Sequence, residues 1–334
     1  MTNCHDDLID FYMQKVKLGQ DELDGLRTAR ETCGTSVEKG LLEKEDLKPE
    51  EFISQGSFAM KTVVQHPDND YDIDYGVLFE KENIVGSRGG DKTPRAARQM
   101  VADSFEDGRF KEKPIVKKNC VRFLYSEGYH VDMPVYRRVK TIFGPRIEIA
   151  SGDEWKESDP KAVTAWFEKA VKERSPDMKT DGQMRRIVCL LKAVAKTRES
   201  YRWPSGFIVS VLVKENYVSA QRDDISFVKT LRAIVSRCNA YQTVDHPVVR
   251  GEKLAEANDS RVVWMRAKLV DFEAKFKTLE ADCARGEAAK FWDQIFGVDF
   301  FTKRIVEKAA SKGIAAGGAF APGFQRPRDA GRWG

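Results

Sequence analysis

The sequence predicts an α+β protein with two lobes, a mixed β-sheet core in the first half of the chain and a C-terminal helical lobe. Two observations support this fold class. Tyr71–Phe79 and Val121–Met133 are rich in alternating β-branched and aromatic residues, which favours strands. After Gly152, apolar residues recur at the three- and four-residue spacing of amphipathic helices. A chain of 334 residues, 41% of them hydrophobic, is long enough to bury a core in each lobe.

The predicted elements divide the chain into four parts. Residues 1–50 are expected to form a helical brace, as one long helix or a helix pair. Residues 51–155 form the sheet-containing core, which includes a helix that starts at Thr93-Pro94, a cap followed by a proline at the first helical position. Residues 156–312 form the helical lobe. Residues 313–334, rich in Gly, Ala and Pro, are expected to be a flexible tail.

Helical periodicity predicts the elements of the second lobe. A first helix begins at Asp159-Pro160 and ends at Ser175-Pro176. The segment Phe207–Val213 is ambiguous, because a β-branched run also suits a strand. The other predicted helices are Gln183–Lys196, Ile225–Cys238, Val262–Leu279 and a last turn at Phe291–Phe296. The C-terminal half is therefore expected to be all-helical.

Composition excludes several classes of protein. With 56 Lys+Arg and 52 Asp+Glu the net charge is +4, too balanced to require a nucleic-acid partner. No apolar run approaches the roughly 20 residues of a membrane span. The six cysteines are scattered without a C-x-x-C pair and the four histidines lack metal spacing, which argues against zinc. The start of the chain has no signal-peptide layout, so we expect a cytoplasmic protein.

The stretch Gln55–Thr62 predicts a phosphate-binding turn. Gly56-Ser57 is a small turn that lets backbone N–H groups and a hydroxyl approach a phosphate closely. Ala59, Met60 and Thr62 are expected to continue a short helix whose N-terminus points at that phosphate.

A carboxylate pair follows on the next predicted strand. Period two places Asp72 and Asp74 on one face, where their mutual repulsion calls for a cation between them. Asp68 and Asp70 follow the same two-residue spacing, but they surround Asn69 just after Pro67 and are assigned to a solvated turn. Mg²⁺ held by carboxylates and substrate phosphates is the candidate cation. A phosphate-binding turn followed by such a pair suits metal-assisted nucleotidyl transfer.

A third carboxylate is expected from a hairpin whose second strand is Tyr129–Met133. Asp132 lies there in an otherwise apolar segment, where a carboxylate is costly unless it is paired, hydrogen-bonded or bound to a metal. A lone Asp on a strand is ordinarily a solvent-facing residue, and the preceding pair favours the site assignment. His130 shares the parity of Asp132 and could line the site, although we interpret it as a satisfied structural histidine.

Basic residues cluster where the helical lobe begins. Most of them are expected to form a solvated helix face. Lys192 differs because it interrupts the apolar stretch Ile187–Ala195, and Lys196 is the alternative to it. The cluster consists of Arg185, Arg186, Lys192, Lys196, Arg198 and Arg202.

These motifs together resemble a known family. Gly56-Ser57, Asp72-Ile73-Asp74 and the later Asp132 resemble the polymerase-β-type nucleotidyltransferase core. The fuller string from Gln55 through Tyr75-Gly76 is similar to the cGAS/DncV-like nucleotidyltransferases (CD-NTases) of bacterial CBASS anti-phage signalling. The similarity extends from about Phe52 to Gly297 and includes Ser158-Asp159-Pro160-Lys161, Leu191-Lys192-Ala193 and Pro204-Ser205-Gly206-Phe207.

The resemblance implies a bilobed polymerase-β-like fold, with Phe207–Val213 as a helix. It implies that Asp72 and Asp74 hold two Mg²⁺ ions, or Mn²⁺ in their place, and that Asp132 completes the metal site and helps deprotonate the attacking hydroxyl. It further implies that the triphosphate of the nucleotide substrate is held by Gln55, Gly56, Ser57, Lys192 and Ser205.

The implied product is a cyclic di- or trinucleotide second messenger, made from NTPs, that activates a separate effector. One alternative is a template-independent transferase acting on RNA 3′ ends or a small molecule, and another is a catalytically silent nucleotide or nucleic-acid sensor. Some members of the family have a C-terminal glycine that a ubiquitin-transfer-like enzyme conjugates. Because the sequence ends in Gly334, a conjugating or regulatory CBASS protein is an implied partner.

Overall fold

A mixed eight-stranded sheet forms the first lobe of the protein. A computed structural model describes residues 1–66, 69–86, 89–105, 113–197 and 200–307. The strands follow the spatial order β3-β4-β5-β2-β6-β7-β8, with β1 paired to β2. They are β1 Glu51–Ser54, β2 Asp72–Glu80, β3 Ile115–Val116, β4 Val121–Leu124, β5 His130–Met133, β6 Val135–Thr141, β7 Gly144–Ser151 and β8 Glu154–Glu157.

The strand β2 lies at the centre of this sheet. The consecutive strands β5 and β6 both run parallel to it, and they keep one register on either side of Pro134. The strand β1 pairs antiparallel with β2. The predicted hairpin is confirmed as the antiparallel pair β4–β5. This arrangement places the first residues of β2 next to β5, and β5 next to β4.

Two helices cover one face of the sheet. They are α2 (Gln20–Glu45) and α4 (Pro94–Ser104), whose apolar residues share a core with β2, β4 and β5. The predicted start of α4 is confirmed, since Pro94 opens the helix and the Thr93 hydroxyl accepts a hydrogen bond from the N–H of Ala96 at 3.2 Å.

The second lobe is built from helices around a separate core. The helix α6 is central to it, with nearly all of its residues buried against its neighbours α5, α7 and α8. The helices are α5 Pro160–Arg174, α6 Gln183–Lys196, α7 Gly206–Asn216, α8 Asp223–Ala240, α9 Ser260–Asp271, α10 Glu273–Glu280 and α11 Arg285–Phe296; residues 300–307 are also helical.

The N-terminal segment contacts both cores. The short helix α1 (His5–Phe11) and a π-helical turn after it bury Leu8 and Phe11 in the core of the helical lobe. The longer helix α2 buries Leu26 and Cys33 in the core of the sheet lobe. The N-terminal helices are thus a pair, and the boundaries assigned to the four parts of the chain stay predictions.

The structure corrects two predictions about the helical lobe. The segment Val262–Leu279 is not one helix, because α9 and α10 meet at Phe272. The half is not all-helical either, since Val244–Asp245 (β9) and Lys253–Ala255 (β10) form a two-stranded ribbon. The helix predicted at Phe207–Val213 from the family resemblance is confirmed as α7.

Some predictions fall outside the described residues, namely those on Asp68, on Arg198 and on the tail from Gly313 to Gly334. Within the described ranges, the structure contains no helix that is both long enough and apolar enough to span a membrane.

Candidate active site

Three acidic side chains meet where β2 and β5 lie side by side. The parallel register pairs Asp74 with Asp132 and Asp72 with His130. Because paired residues of neighbouring strands point to the same face, these four side chains share one side of the sheet. Ligand atoms of Asp72, His130 and Asp132 lie within 4.8 Å of one another. Asp72 and Asp74 therefore lie on one face of their strand, as predicted, while the catalytic roles of these residues stay predictions.

His130 participates in this group more directly than the sequence suggested. Its side chain is only 7% exposed, as expected for a structural histidine, yet its Nε2 contacts Oδ1 of Asp72. The spacing of histidines in the sequence did not indicate a place in a candidate metal site. His130 and Asp132 are two residues apart on one strand and therefore share a face, and this spacing could have indicated that His130 belongs to the site.

Arg122 is a site residue that sequence analysis missed. It lies opposite Asp132 in the antiparallel pair β4–β5. Its Nε and Nη2 each donate to one carboxylate oxygen of Asp132, both at 2.7 Å, and Nη2 also lies 3.1 Å from Oδ1 of Asp72. The expectation that Asp132 needs a partner is met by this arginine. The alternation of β4 places Arg122 on the same face, which could have revealed it.

The carboxylates differ in protonation. Burial, followed by the negative charges of Asp132 and Asp72, raises the pKa of Asp74 to about 7. The hydrogen bond from His130 is the largest cause that lowers the pKa of Asp72 below its ordinary value. The carboxyl of Asp74 therefore keeps its proton to a higher pH than an ordinary aspartate, and a cation placed beside it would favour its ionised form.

The turn that is predicted to bind phosphate lies directly against Asp74. Gly56 has a φ of +64°, and a Cβ built on it would lie 1.9 Å from Oδ2 of Asp74. Only glycine fits this conformation and this close approach. Gln55 is held by a 2.9 Å hydrogen bond from the hydroxyl of Tyr136 to its Oε1.

The short helix after this turn is α3, Gly56–Ala59. The prediction that it continues through Met60 to Thr62 is wrong, because Lys61 adopts a left-handed φ of +54° that ends the helix. Ser57 lies in its first turn and lines the cleft in front of the carboxylates.

The expected solvated face of α6 is wrong for two arginines. Arg185 and Arg186 are only 3% and 2% exposed. Arg186 forms a two-pronged ion pair with the buried Asp223, at 2.6 and 2.9 Å. Arg185 donates from Nε to the backbone carbonyl of Met60 at 3.0 Å, immediately after α3. A buried arginine of the helical lobe therefore holds the segment that follows α3.

Lys192 also contacts this segment. Its ammonium donates to the carbonyl of Thr62 at 3.0 Å and to the Thr62 hydroxyl at 2.9 Å. Burial lowers its pKa to about 8. The structure thus places Lys192 in the wall of the cleft with its charge bound to Thr62. Lys196, one turn later, lines the same cleft and is exposed.

Ser205 lies across the cleft at the start of α7. Its hydroxyl accepts a 3.3 Å hydrogen bond from the N–H of Ile208 and thereby caps the helix. All eight residues assigned to the site from sequence line one cleft between the lobes, with a volume of about 830 Å³. The wall also contains side chains that the sequence analysis did not assign: Tyr201, Phe207, His246 and Arg261.

The donor set fits a divalent metal ion. Carboxylate oxygens of Asp72, Asp74 and Asp132 are the hard ligands that Mg²⁺ and Mn²⁺ prefer. The close contact of Gly56 with Asp74 would let such an ion touch both a carboxylate and a phosphate bound at the turn.

Comparison with known proteins agrees with this geometry. Residues 50–136 match the family model described as "Cyclic GMP-AMP synthase DncV-like, nucleotidyltransferase domain". The chain is also 26% identical over 217 residues to a cyclic GMP-AMP synthase of Escherichia albertii. That match covers 63% of this chain and 46% of the relative, so it spans about half of the relative's length.

Solved structures share the fold. The Vibrio cholerae DncV cyclic AMP-GMP synthase, in complex with the linear intermediate pppA(3′,5′)pG, superposes with a TM-score of 0.70 at 18% identity, over 89% of this chain and 97% of that one. Escherichia coli DncV in its 3′-deoxy GTP-bound form superposes with a TM-score of 0.66 at 18% identity, over 86% of this chain and 94% of that one. These comparisons confirm the predicted bilobed fold and the resemblance to cGAS/DncV-like nucleotidyltransferases.

Proposed function

Residues 50–136 match the family model of a DncV-like nucleotidyltransferase domain, and from this match we propose that the protein synthesises a cyclic di- or trinucleotide from nucleoside triphosphates, ATP among them. The reaction is nucleotidyl transfer with two bound Mg²⁺ ions, for which Mn²⁺ can substitute. The product is a second messenger that activates a separate effector in bacterial anti-phage defence.

One observation carries this proposal. The carboxylates of Asp72, Asp74 and Asp132 lie together in the lining of the cleft, and the glycine turn at Gly56 closely approaches Asp74. Metal-assisted transfer of a nucleotidyl group needs this combination, because the metal must bind protein carboxylates and substrate phosphates at once.

The residues of the chain have separate tasks in this reaction. The backbone N–H groups at Gly56 and Ser57 bind the triphosphate of the donor nucleotide, and Ser57 adds a hydroxyl. Lys196 faces the cleft and supplies positive charge to the phosphates, while Lys192 holds the turn through Thr62.

The carboxylates orient and activate the acceptor. When bound, the metal ions stabilise the negative charge that builds up on the α-phosphate and on the leaving pyrophosphate. Asp132, positioned by Arg122 on the neighbouring strand, would complete the metal site and help deprotonate the attacking ribose hydroxyl. The cleft has a volume of about 830 Å³, which lies within the range of ordinary ligand sites and leaves room for nucleotides.

The test is incubation of the purified protein with all four NTPs and Mg²⁺, followed by mass spectrometry. The expected product forms without any added acceptor and resists phosphatase, as a cyclic molecule without terminal phosphates does. EDTA should abolish it. The double variant Asp72→Asn/Asp74→Asn should remain folded, because asparagine keeps the shape of aspartate and Asp74→Asn removes a buried charge that its neighbours repel, and should make no product.

Other outcomes would point to other functions. Transfer that appears only when RNA or a small molecule is added would support a template-independent transferase. Tight nucleotide binding with no turnover would support a silent sensor. Turnover near the wild-type rate in a folded double variant would contradict the metal assignment.

The biological setting belongs to the same proposal. A cytoplasmic site of action and a CBASS regulatory or conjugating protein as partner are expected from the family resemblance. Co-expression with a ubiquitin-transfer-like enzyme, followed by mass spectrometry of the intact protein, tests for a covalent adduct.

A further inference from the structure

Arg122 occupies the oxygens that a metal ion would need. Its guanidinium binds both carboxylate oxygens of Asp132 and also approaches Oδ1 of Asp72. The same Oδ1 of Asp72 is contacted by Nε2 of His130. Within the described residues, the two ion pairs of Arg122 are both with members of the carboxylate set.

This placement follows from the sheet. Arg122 and Asp132 are direct partners in the antiparallel pair β4–β5, and β5 lies next to the strand that carries Asp72. The Arg122 side chain is 25% exposed and that of Asp132 is 13% exposed, so water screens their contact only in part. A planar, two-pronged arginine–carboxylate pair of this kind is among the stronger ion pairs in proteins.

The guanidinium and a metal ion cannot share these oxygens without cost. Mg²⁺ binds carboxylate oxygens at about 2.0–2.1 Å and demands near-octahedral geometry. An ion at that distance would lie within a few ångströms of the guanidinium, and two positive charges so close repel strongly in a partly buried cleft. One of the two must withdraw, at least from Asp72.

We propose that Arg122 is the built-in counterion of the metal-free site: it holds Asp72 and Asp132 together until a divalent cation displaces it from Asp72. This inference rests on the proposed function, in which these carboxylates bind the metal. Arg122 is a positioning residue, since its contacts are with the carboxylates.

Two measurable effects follow. Removal of Arg122 leaves adjacent carboxylates without their counterion, so the metal-free protein should lose thermal stability. The same removal takes away the competitor of the metal, so the affinity for the metal should rise. A residue with a purely structural role would produce the first effect without the second.

The experiment measures metal binding directly, without nucleotide. Mn²⁺ is titrated into the full-length protein, and free Mn²⁺ is followed by its electron paramagnetic resonance signal. We expect Arg122→Met to lower the apparent Kd for Mn²⁺ about tenfold, equivalent to roughly 1.4 kcal/mol. In EDTA its melting temperature should fall below that of the wild type, and saturating Mg²⁺ should restore most of the difference.

A matched control is available on the same sheet. Arg138 is also 25% exposed and also binds a carboxylate through Nε and Nη2, but its partners are Glu50 and, at 3.4 Å, Glu80, both outside the cleft lining. Arg138→Met should lower the melting temperature equally with and without Mg²⁺ and leave the Kd for Mn²⁺ unchanged. Arg122→Lys, which keeps the charge but not the fork, should tighten Mn²⁺ binding less than Arg122→Met.

The outcomes separate this proposal from the proposed function. An unchanged or higher Kd in Arg122→Met overturns the counterion role even if the wild-type protein makes cyclic product. An absence of Mn²⁺ binding in both wild type and variant overturns the counterion role and the metal assignment together. Tighter binding in a protein that makes no product from NTPs supports the counterion role and removes the proposed function alone.

Discussion

Asp74→Asn should make the metal-free protein more stable at neutral and alkaline pH, by an amount that disappears in acid. The ordinary pKa of an aspartate is 3.8, and burial beside Asp132 and Asp72 raises that of Asp74 to about 7. Below about pH 4 this carboxyl is protonated in the folded and the unfolded state alike. Between about pH 4 and about pH 7 only the unfolded state has released the proton, so the wild-type protein loses stability as pH rises.

The size of the effect follows from the pKa. A change from 3.8 to about 7 corresponds to at most about 4 kcal/mol, because each pKa unit is worth roughly 1.4 kcal/mol. Asp74 borders an open cleft, and screening by water reduces this value, so we expect on the order of 2–3 kcal/mol between about pH 4.5 and about pH 8. The asparagine cannot ionise and should not lose this free energy.

The assay is urea unfolding of wild type and variant in EDTA across this pH range. Asp271→Asn, a change at an exposed carboxylate of α9, is the control, and its free energy of unfolding should change with pH as that of the wild type does. Saturating Mg²⁺ should raise the stability of the wild type above about pH 7 and not that of Asp74→Asn. A stability difference between Asp74→Asn and wild type that stays constant from acid to alkaline pH would refute the reasoning.

Four further results are expected. Ser57→Ala should reduce kcat/KM by about 10- to 100-fold, less than the aspartate changes, because one hydrogen bond to a charged group is worth roughly 1.5–3 kcal/mol and the backbone donors remain; a silent variant would mean the phosphates bind elsewhere. Gly56→Ala should abolish synthesis in a protein that still folds, since a Cβ there would overlap a metal-site carboxylate; normal activity would contradict this. Lys192→Ala should lower the melting temperature and raise the KM for NTPs, whereas Lys196→Ala should raise KM alone, in a salt-sensitive way; a stable Lys192→Ala protein would refute its holding role. Truncation after Lys312 should leave the melting temperature and basal synthesis unchanged. A lower melting temperature or a loss of synthesis would contradict this prediction.

Local patterns in the sequence were sufficient for much of the fold. Proline and cap residues predicted the start of α4 at Thr93-Pro94, and apolar spacing predicted Gln183–Lys196, which are the bounds of α6. These features depend on neighbours a few residues away, so one sequence contains them. The boundary within Val262–Leu279 was missed, because the apolar residues keep their helical spacing through Phe272, although α9 ends before this residue and α10 begins after it.

The candidate site was predictable in part for the same reason. Strand period two places Asp72 and Asp74 on one face whatever the surroundings, and a glycine before a serine indicates a tight turn. The assigned roles of these residues remain predictions, but their positions at one end of the cleft follow from strand alternation and the β2–β5 register.

What the sequence by itself determined was the set of side chains on each face of each element. Only the tertiary structure decided which faces meet. Arg185 was expected on a solvated helix face and Lys192 at the triphosphate, yet they reach 125 and 130 residues back along the chain to Met60 and Thr62. Arg122 was an ordinary strand residue until the register of β4 against β5 set it opposite Asp132. Such contacts depend on strand register and lobe packing, which arise from the sum of many burial energies and are encoded at no single position.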